Sequence, residues 1–288
     1  MSTAAERWRD ALGAWAIPEN ILRAAPESPW AFPVGLFTSR AQAAAKQLTF
    51  SNQRAREELP EWGTVLDVGC GAGAASLPLA GRASRLIGVD TSPAMLEEFT
   101  KHAEASGVLA TTIEGTWPDV ADRSPVADVV VCHHVVYNAP DLRTFALRLT
   151  DHARRRVVVE MTVAHPLQAM NDLWMRFHGV ARPTTPTADD AEEVLREAGL
   201  HPSRHDWNAP RPGGFPTRGD LVASVRRMLC LGSERDSEIA AAIGHRIVER
   251  DGRFGFTDRP VATLWWEGAA PAEPTGGRRR SAPAGWDV

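Results

Sequence analysis

From Thr64 onward, short apolar runs alternate with longer stretches of helical composition. The runs are Thr64 to Val68, Arg85 to Val89, Ala110 to Glu114, Ala127 to Cys132 and Arg156 to Met161. Most are rich in Val, Ile or Leu, as strands covered on both faces tend to be. Between them, Gly73 to Ala83, Pro93 to Ser106 and Asp141 to His152 carry helix-compatible sequence. The alternation predicts βαβ units and a parallel sheet. Upstream, Trp8, Leu12 and Trp15 fall at helical spacing, and Thr38 to Leu59 is rich in Ala, Gln, Arg and Glu, with Pro18, Pro26, Pro29 and Pro33 punctuating the stretch between. Downstream of His165 the order weakens to a helical stretch at Leu167 to His178, the turn-rich RPTTPTADD and a helix at Ala191 to Ala198 closed by Gly199. Strands at Ser203 to Trp207 and Val261 to Trp266 flank a helical segment, Thr217 to Val248, that reads as an insertion.

This pattern divides the chain into an N-terminal helical cap (1–60), an α/β core (61–165), helices and final strands (166–268) and a tail (269–288). The tail is rich in Pro, Gly and Ala with few core formers and reads as disordered, its RRR run as a solvated charge cluster.

A chain of 288 residues buries a sizeable core without metals or disulfides. Three cysteines, Cys70, Cys132 and Cys230, lack CxxC spacing, which disfavours a disulfide framework or zinc site and fits a reducing, cytoplasmic compartment. A net charge of −4 gives no broad attraction to phosphate backbones or anionic membranes, so neither nucleic acid nor membrane is the expected partner. No apolar run approaches the roughly 20 residues of a membrane span, and the start has no signal-peptide core, so a soluble, unexported protein is expected.

The chemistry concentrates in VLDVGCGAGAASLPLA. Gly69, Gly71 and Gly73 sit where the first strand turns toward its helix, and glycine there permits a tight turn and close approach of backbone to a ligand. A second strand ends in Asp90, about 20 residues on, where such folds place an acid that accepts from ribose hydroxyls. Gly69, Gly71 and Ala74 also satisfy the glycine fingerprint of NAD-binding proteins. Asp67 separates the two readings, because a carboxylate just before the first glycine repels a pyrophosphate and favours a ligand carrying an ammonium group, such as S-adenosylmethionine.

DVGCGAG resembles motif I of class I S-adenosylmethionine-dependent methyltransferases, and GVDTSPAML their second motif. EGTWPDV resembles the segment after the third strand that holds adenine, ADVVVCHHVVYNAPDL the fourth strand with its loop, and VVVEMT occupies the fifth-strand position. The likeness covers about residues 35 to 165. WAIPEN, SPWAFP and LFTSRA are similar to an uncharacterised small-molecule branch of this superfamily from high-GC bacteria. The resemblance implies an α/β fold: a three-layer Rossmann-like methyltransferase sheet, mostly parallel with an antiparallel last strand, plus the N-terminal helical cap and the helical insertion. It implies S-adenosylmethionine as cofactor and S-adenosylhomocysteine as product, with in-line methyl displacement toward a small molecule.

Carried over residue by residue, Gly69, Cys70 and Gly71 form the loop around the methionine part and Asp67 orients its amino group. Asp90 binds the ribose or else caps the next helix with Thr91, and Met95 packs on adenine or in the core. Gly115, Thr116 and Trp117 lie at the adenine edge, with Thr116 in place of the common acid and Trp117 either stacking on the ring or covering the core. Cys132 and His133 lie beneath the sulfonium through backbone, and Phe37 and Arg40 close over the methionine end, Arg40 pairing its carboxylate. The acid that catechol-type enzymes use as a metal ligand is replaced by Cys132, and the Pro-Pro loop of enzymes acting on exocyclic base amines by CHHV, so no metal is expected. Should the acceptor need a base, His134, Tyr137, His165 and His178 are positioned as candidates. A non-catalytic binder of S-adenosylmethionine or S-adenosylhomocysteine and a NAD-dependent oxidoreductase stay as alternatives, and the acceptor and the oligomeric state, monomer or homodimer, stay open.

Overall fold

In the computed structural model, which describes residues 2–30, 38, 41, 43–44, 47–210, 214–269 and 271, the apolar runs form one seven-stranded sheet. In chain order the strands are β1 (Gly63–Val68), β2 (Ala83–Asp90), β3 (Leu109–Glu114), β4 (Ala127–His133), β5 (Ala153–Thr162), β6 (Ser203–Ala209) and, after a separate hairpin of β7 (Ile247–Arg250) and β8 (Arg253–Phe256), β9 (Arg259–Glu267). The spatial order is β3-β2-β1-β4-β5-β9-β6. β1 to β5 pair in parallel, and β9 runs antiparallel to both β5 and β6. This is the expected Rossmann-like sheet with an antiparallel last strand.

Alternation of side chains decides the two faces. On β4, Val129 and Val131 point into one cluster with Ala55, Leu59 and Phe99, whereas Val130 and Cys132 point into the other with Trp8, Phe145 and Leu195. Helices α1 (Ala4–Gly13), α5 (Leu142–Asp151) and α7 (Ala188–Glu197) contribute to the second face, and α3 (Phe50–Glu58) and α4 (Pro93–Ala105) to the first. Local signals set their starts. The Thr3 and Thr49 hydroxyls cap α1 and α3 in reciprocal boxes with Glu6 and Asn52, Ser92 followed by Pro93 starts α4, and Asp141 caps α5. A third cluster joins Leu173 and Trp174 of α6 (Asn171–His178) to Leu221 and Val225 of α8 (Arg218–Met228) and Ile239 of α9 (Asp236–Ile243), with Ile21 of α2 (Glu19–Ala24) packed against it.

Two expectations are corrected. Gly73 to Ala83 forms no α-helix; it is a run of turns around one 3-10 turn at Leu77–Leu79 that leads into β2 at Ala83. Gly73 has φ +96°, outside helical space, and Pro78 brings no amide hydrogen to the few residues left. The insertion is also not wholly helical, because Ile247–Arg250 and Arg253–Phe256 pair as a hairpin across Asp251 (φ +53°) and Gly252 (φ +70°). Two positive φ values in a two-residue loop define the tight hairpin turn that Asp-Gly favours.

The N-terminal helix is bolted to the sheet by Trp8, which is 1% exposed, lies 5.7 Å from the Tyr137 ring and donates from Nε1 to the Ala139 carbonyl at 2.9 Å. Trp8→Ala should therefore cost about 3–5 kcal/mol of unfolding free energy, read by guanidinium denaturation. A loss below about 1 kcal/mol would show that the helix is not seated in the core.

Candidate functional site

Because β1 to β5 run in one direction, their carboxyl ends line up, with Asp67 beside Gly88, Asp90 beside Glu114 and His133 beside Glu160. The chain leaves β1 through Gly69 (φ +70°) and Gly71 (φ +49°). The Gly69 and Cys70 amides donate to the Val89 carbonyl at 2.8 and 3.0 Å, and Gly71 donates to Asp90 Oδ2 at 2.8 Å. A β-carbon at Gly69 would lie 2.3 Å from Val135 Cγ2, so only glycine lets the turn reach the loop after β4. At Gly71 a β-carbon would meet nothing within 4 Å, and the turn there faces open space.

Asp67 is fully buried. Its Oδ2 accepts from Ser76 Oγ at 2.6 Å, while Oδ1 has no hydrogen-bond partner. Burial, reinforced by the negative charge of Asp90, raises its pKa to about 7 against the opposing Ser76 hydrogen bond. An unsatisfied buried carboxylate oxygen beneath a glycine turn suits an ammonium group. Asp90 Oδ1 accepts from the Ser92 amide at 2.9 Å, so Asp90 braces both the glycine turn and the start of α4, with lone pairs left for hydroxyl donors. Thr91 is exposed, and Met95 is buried in the first turn of α4.

Gly115 (φ +146°) donates to the Asp90 carbonyl at 3.0 Å, bringing the end of β3 to the same edge, and Thr116 is exposed beside it. Of the two readings open for Trp117, the structure matches the core one. Its indole is 6% exposed, donates to the Phe145 carbonyl at 3.2 Å and meets His152 edge-on, so the ring covers the core and does not stack at the adenine edge. Cys132 is fully buried, and burial followed by Asp67 pushes its thiol well above the usual value. His133 has a buried Nε2 without a hydrogen-bond partner, and burial lowers its pKa against the pull of Glu160. Phe37 and Arg40 lie outside the described residues.

The four candidate bases separate cleanly. Tyr137 is 8% exposed and donates to the Thr162 carbonyl at 2.8 Å; burial raises its pKa, so it serves as a core ring. His165 is 7% exposed, stacks on Trp15 at 3.9 Å and accepts the Leu167 amide on Nδ1 at 3.3 Å. His178 contacts the Leu229 carbonyl through Nε2 at 2.7 Å, next to Trp174 in the third cluster. Those three are engaged in packing. His134 (φ +62°) keeps a partly exposed ring, and its Nε2 lies 2.9 Å from Glu160 Oε1 and 2.8 Å from Arg259 Nη2.

Glu160, read from the sequence only as part of a strand, is 6% exposed. Its Oε2 accepts from Ser51 Oγ at 2.6 Å, and Ser51 lies 2.7 Å from Thr263 Oγ1, which in turn accepts from Trp207 Nε1 at 2.9 Å. Burial alone would raise its pKa, but His133, His134 and Ser51 outweigh that and hold the carboxyl well below the usual range. A glutamate inside an apolar run is the signal that marks this cluster. Among the described residues no group of three or more His, Cys, Asp or Glu is placed to hold a metal ion.

A family model described as a methyltransferase domain matches residues 65–156, the stretch that builds this site. An uncharacterized protein of Haemophilus influenzae is 34% identical over 208 residues, which are 70% of this chain and 75% of that protein. The chain belongs to the class I S-adenosylmethionine-dependent methyltransferases. Within that class, a ubiquinone biosynthesis O-methyltransferase of Azorhizobium caulinodans is 36% identical over 84 residues, 29% of this chain and 33% of that enzyme. The match thus spans about a third of the length of the curated relatives found first. A second enzyme of that name, from Mesorhizobium japonicum, is 29% identical over 201 residues, 70% of this chain and 66% of its own. The class I fold recurs in a cyclopropane-fatty-acyl-phospholipid synthase-like protein from Lactobacillus casei, with a TM-score of 0.51 at 17% identity over 86% of this chain and 98% of that one.

The raised pKa of Asp67 fixes a sign. Between its ordinary value and about 7 the folded protein holds a proton that the unfolded chain releases, so this residue favours folding at low pH and opposes it as pH rises toward 7. A cationic group bound to Asp67 favours the ionised form. Affinity for S-adenosylhomocysteine should therefore weaken by up to about tenfold per unit as pH falls below 7, measured by calorimetry. Asp67→Asn should bind more weakly and lose this pH dependence; an unchanged profile in the variant would remove Asp67 from the site.

Proposed function

We propose that this chain transfers the methyl group of S-adenosylmethionine to a small-molecule acceptor, releasing S-adenosylhomocysteine. One observation carries the reading: the partnerless Oδ1 of buried Asp67 beneath a turn that tolerates no side chain at Gly69. When bound, the cofactor supplies an electrophilic methyl on a sulfonium whose leaving group is a neutral thioether, so the protein need not protonate it. In this reading Asp67 and the backbone of Gly69, Cys70 and Gly71 hold the methionine part, and Asp90 takes the ribose hydroxyls. Gly115 and Thr116 edge the adenine, and the backbone of Cys132 and His133 floors the reacting centre. Holding an acceptor near the methyl in line contributes roughly 7–11 kcal/mol through effective molarity.

The 1–60, 61–165 and 166–268 division is part of the same proposal, with the 165–190 stretch and the 217–248 insertion roofing the strand ends. The chain's ten tryptophans suit an apolar or aromatic acceptor pocket. The names of the ubiquinone biosynthesis O-methyltransferases support oxygen as the atom methylated.

Calorimetry with S-adenosylhomocysteine and NAD tests the reading. Wild type should bind the first and not the second. Gly69→Ala should abolish that binding, because its β-carbon meets Val135, whereas Gly81→Ala, which meets nothing within 4 Å, should keep it. Binding of NAD in place of S-adenosylhomocysteine would sink the assignment, and cofactor binding without turnover of any acceptor would leave a non-catalytic binder.

A further inference from the structure

We propose that the cleft between α6, α8 and the chain around α2 binds a small aromatic carboxylate, its ring against the indoles of Trp30 and Trp174 and its charge paired with Arg182. The cleft shares no lining residue with the glycine turn, and the inference does not depend on the methyl-transfer reading.

Arg182 singles out this cleft. It lines the opening together with Ile17, Met170, Trp174 and Met228, and its guanidinium lies 5.5 Å from the Trp15 ring and 4.9 Å from the Trp174 ring. Nη1 donates to the Ala16 carbonyl at 2.9 Å and Nη2 to the Trp15 carbonyl, while Nε is buried without a partner. Carbonyls and ring faces orient a cation but bring no net charge to neutralise it. Among the described residues no carboxylate does so, because the acids of the surrounding elements are engaged elsewhere. Asp172 of α6 pairs with Arg246, Asp220 caps the start of α8, Glu19 of α2 pairs with Arg23, and Glu27 beyond α2 pairs with Arg226 at 3.2 Å. Burial lowers the Arg182 pKa, with only the Cys230 thiol acting against it.

The walls select the rest of the ligand. Ile17, Met170 and Met228 present apolar surface, Trp174 is 4% exposed beside His178, and Trp30 leaves its indole 55% exposed. Indole and thioether walls favour a flat aromatic body over a sugar or a peptide. One guanidinium with part of its fork committed to carbonyls matches a single carboxylate, whereas a phosphate dianion calls for more donors and a second cation. Trp15, which backs the guanidinium, is itself held by its Nε1 bond to the Thr185 carbonyl at 2.6 Å and its stack on His165 at 3.9 Å. The cation is thus in place before a ligand arrives, which lowers the ordering cost of binding.

Calorimetry on the full chain near neutral pH, with 2-naphthoate and its neutral counterpart 2-naphthamide, reads the role of charge. Wild type should bind the acid at least about tenfold more tightly than the amide, and Arg182→Gln should bring the two affinities together. A merely structural arginine would leave acid and amide alike in wild type, and that result overturns the proposal, as does an acid preference that survives Arg182→Gln. Because Arg182 also holds the Trp15 and Ala16 carbonyls, Trp30→Ala supplies a variant that leaves the cation in place. It should weaken both probes to a similar degree and keep their ratio; unchanged affinity for both overturns the assignment to this cleft. Saturating S-adenosylhomocysteine should leave the acid preference intact, and its loss would put the acid at the glycine turn and overturn a separate site. Failure of naphthoate to bind the protein alone refutes this site and leaves the methyl-transfer reading standing.

Discussion

The contact between the backbone at Gly69 and the side chain of Val135 organises the strand ends. With no room for a β-carbon, the turn after β1 closes directly onto the loop after β4, and its amides reach the Val89 carbonyl of β2. Three strands are thereby tied at their carboxyl ends by one turn. Asp90 completes the tie by accepting from Gly71 on one oxygen and from Ser92 on the other, so the geometry of the turn and the entry angle of α4 are set together.

Two buried carboxylates flank this tie and differ in charge state for a physical reason. Asp67 has one hydroxyl donor and a negative neighbour, and burial wins. Glu160 has a hydroxyl, an imidazole partner and a second imidazole nearby, and the partners win. Near neutral pH the first stands at its point of ionisation while the second is fully charged. The site thus offers one acid that responds to a cation and one anion that is permanent.

Much of this was legible in the sequence. The strands of the main sheet lie at or near the expected runs; in β1, β2, β4 and β5 burial on both faces leaves a Val-, Ile- and Leu-rich signal, whereas β6 (SRHDWNA) carries none, and the glycine turn with Asp67 and Asp90 announces itself by residue type. What was hidden depends on partners far along the chain. Glu160 lies within an apolar strand and acquires meaning only through Ser51, His134 and Thr263, which arrive from α3, the β4 loop and β9. Tyr137 and Trp117 carry polar handles satisfied by carbonyls at Thr162 and Phe145, so the same residues that suit a pocket fill the core. The β7–β8 hairpin did have a local signal, Asp251-Gly252, outweighed by the helical composition upstream of it.

The irregular winding between Gly73 and Ala83 bears on which nucleosides the chain accepts. A regular helix opening there would aim about half a unit of positive charge at the ligand, the field that stabilises phosphates in dinucleotide folds. A single turn at Leu77–Leu79 aligns few peptide dipoles, so a diphosphate would find little compensating field and the Asp67 carboxylate beneath it. Local winding and local charge act in the same sense, and both disfavour a diphosphate at the glycine turn.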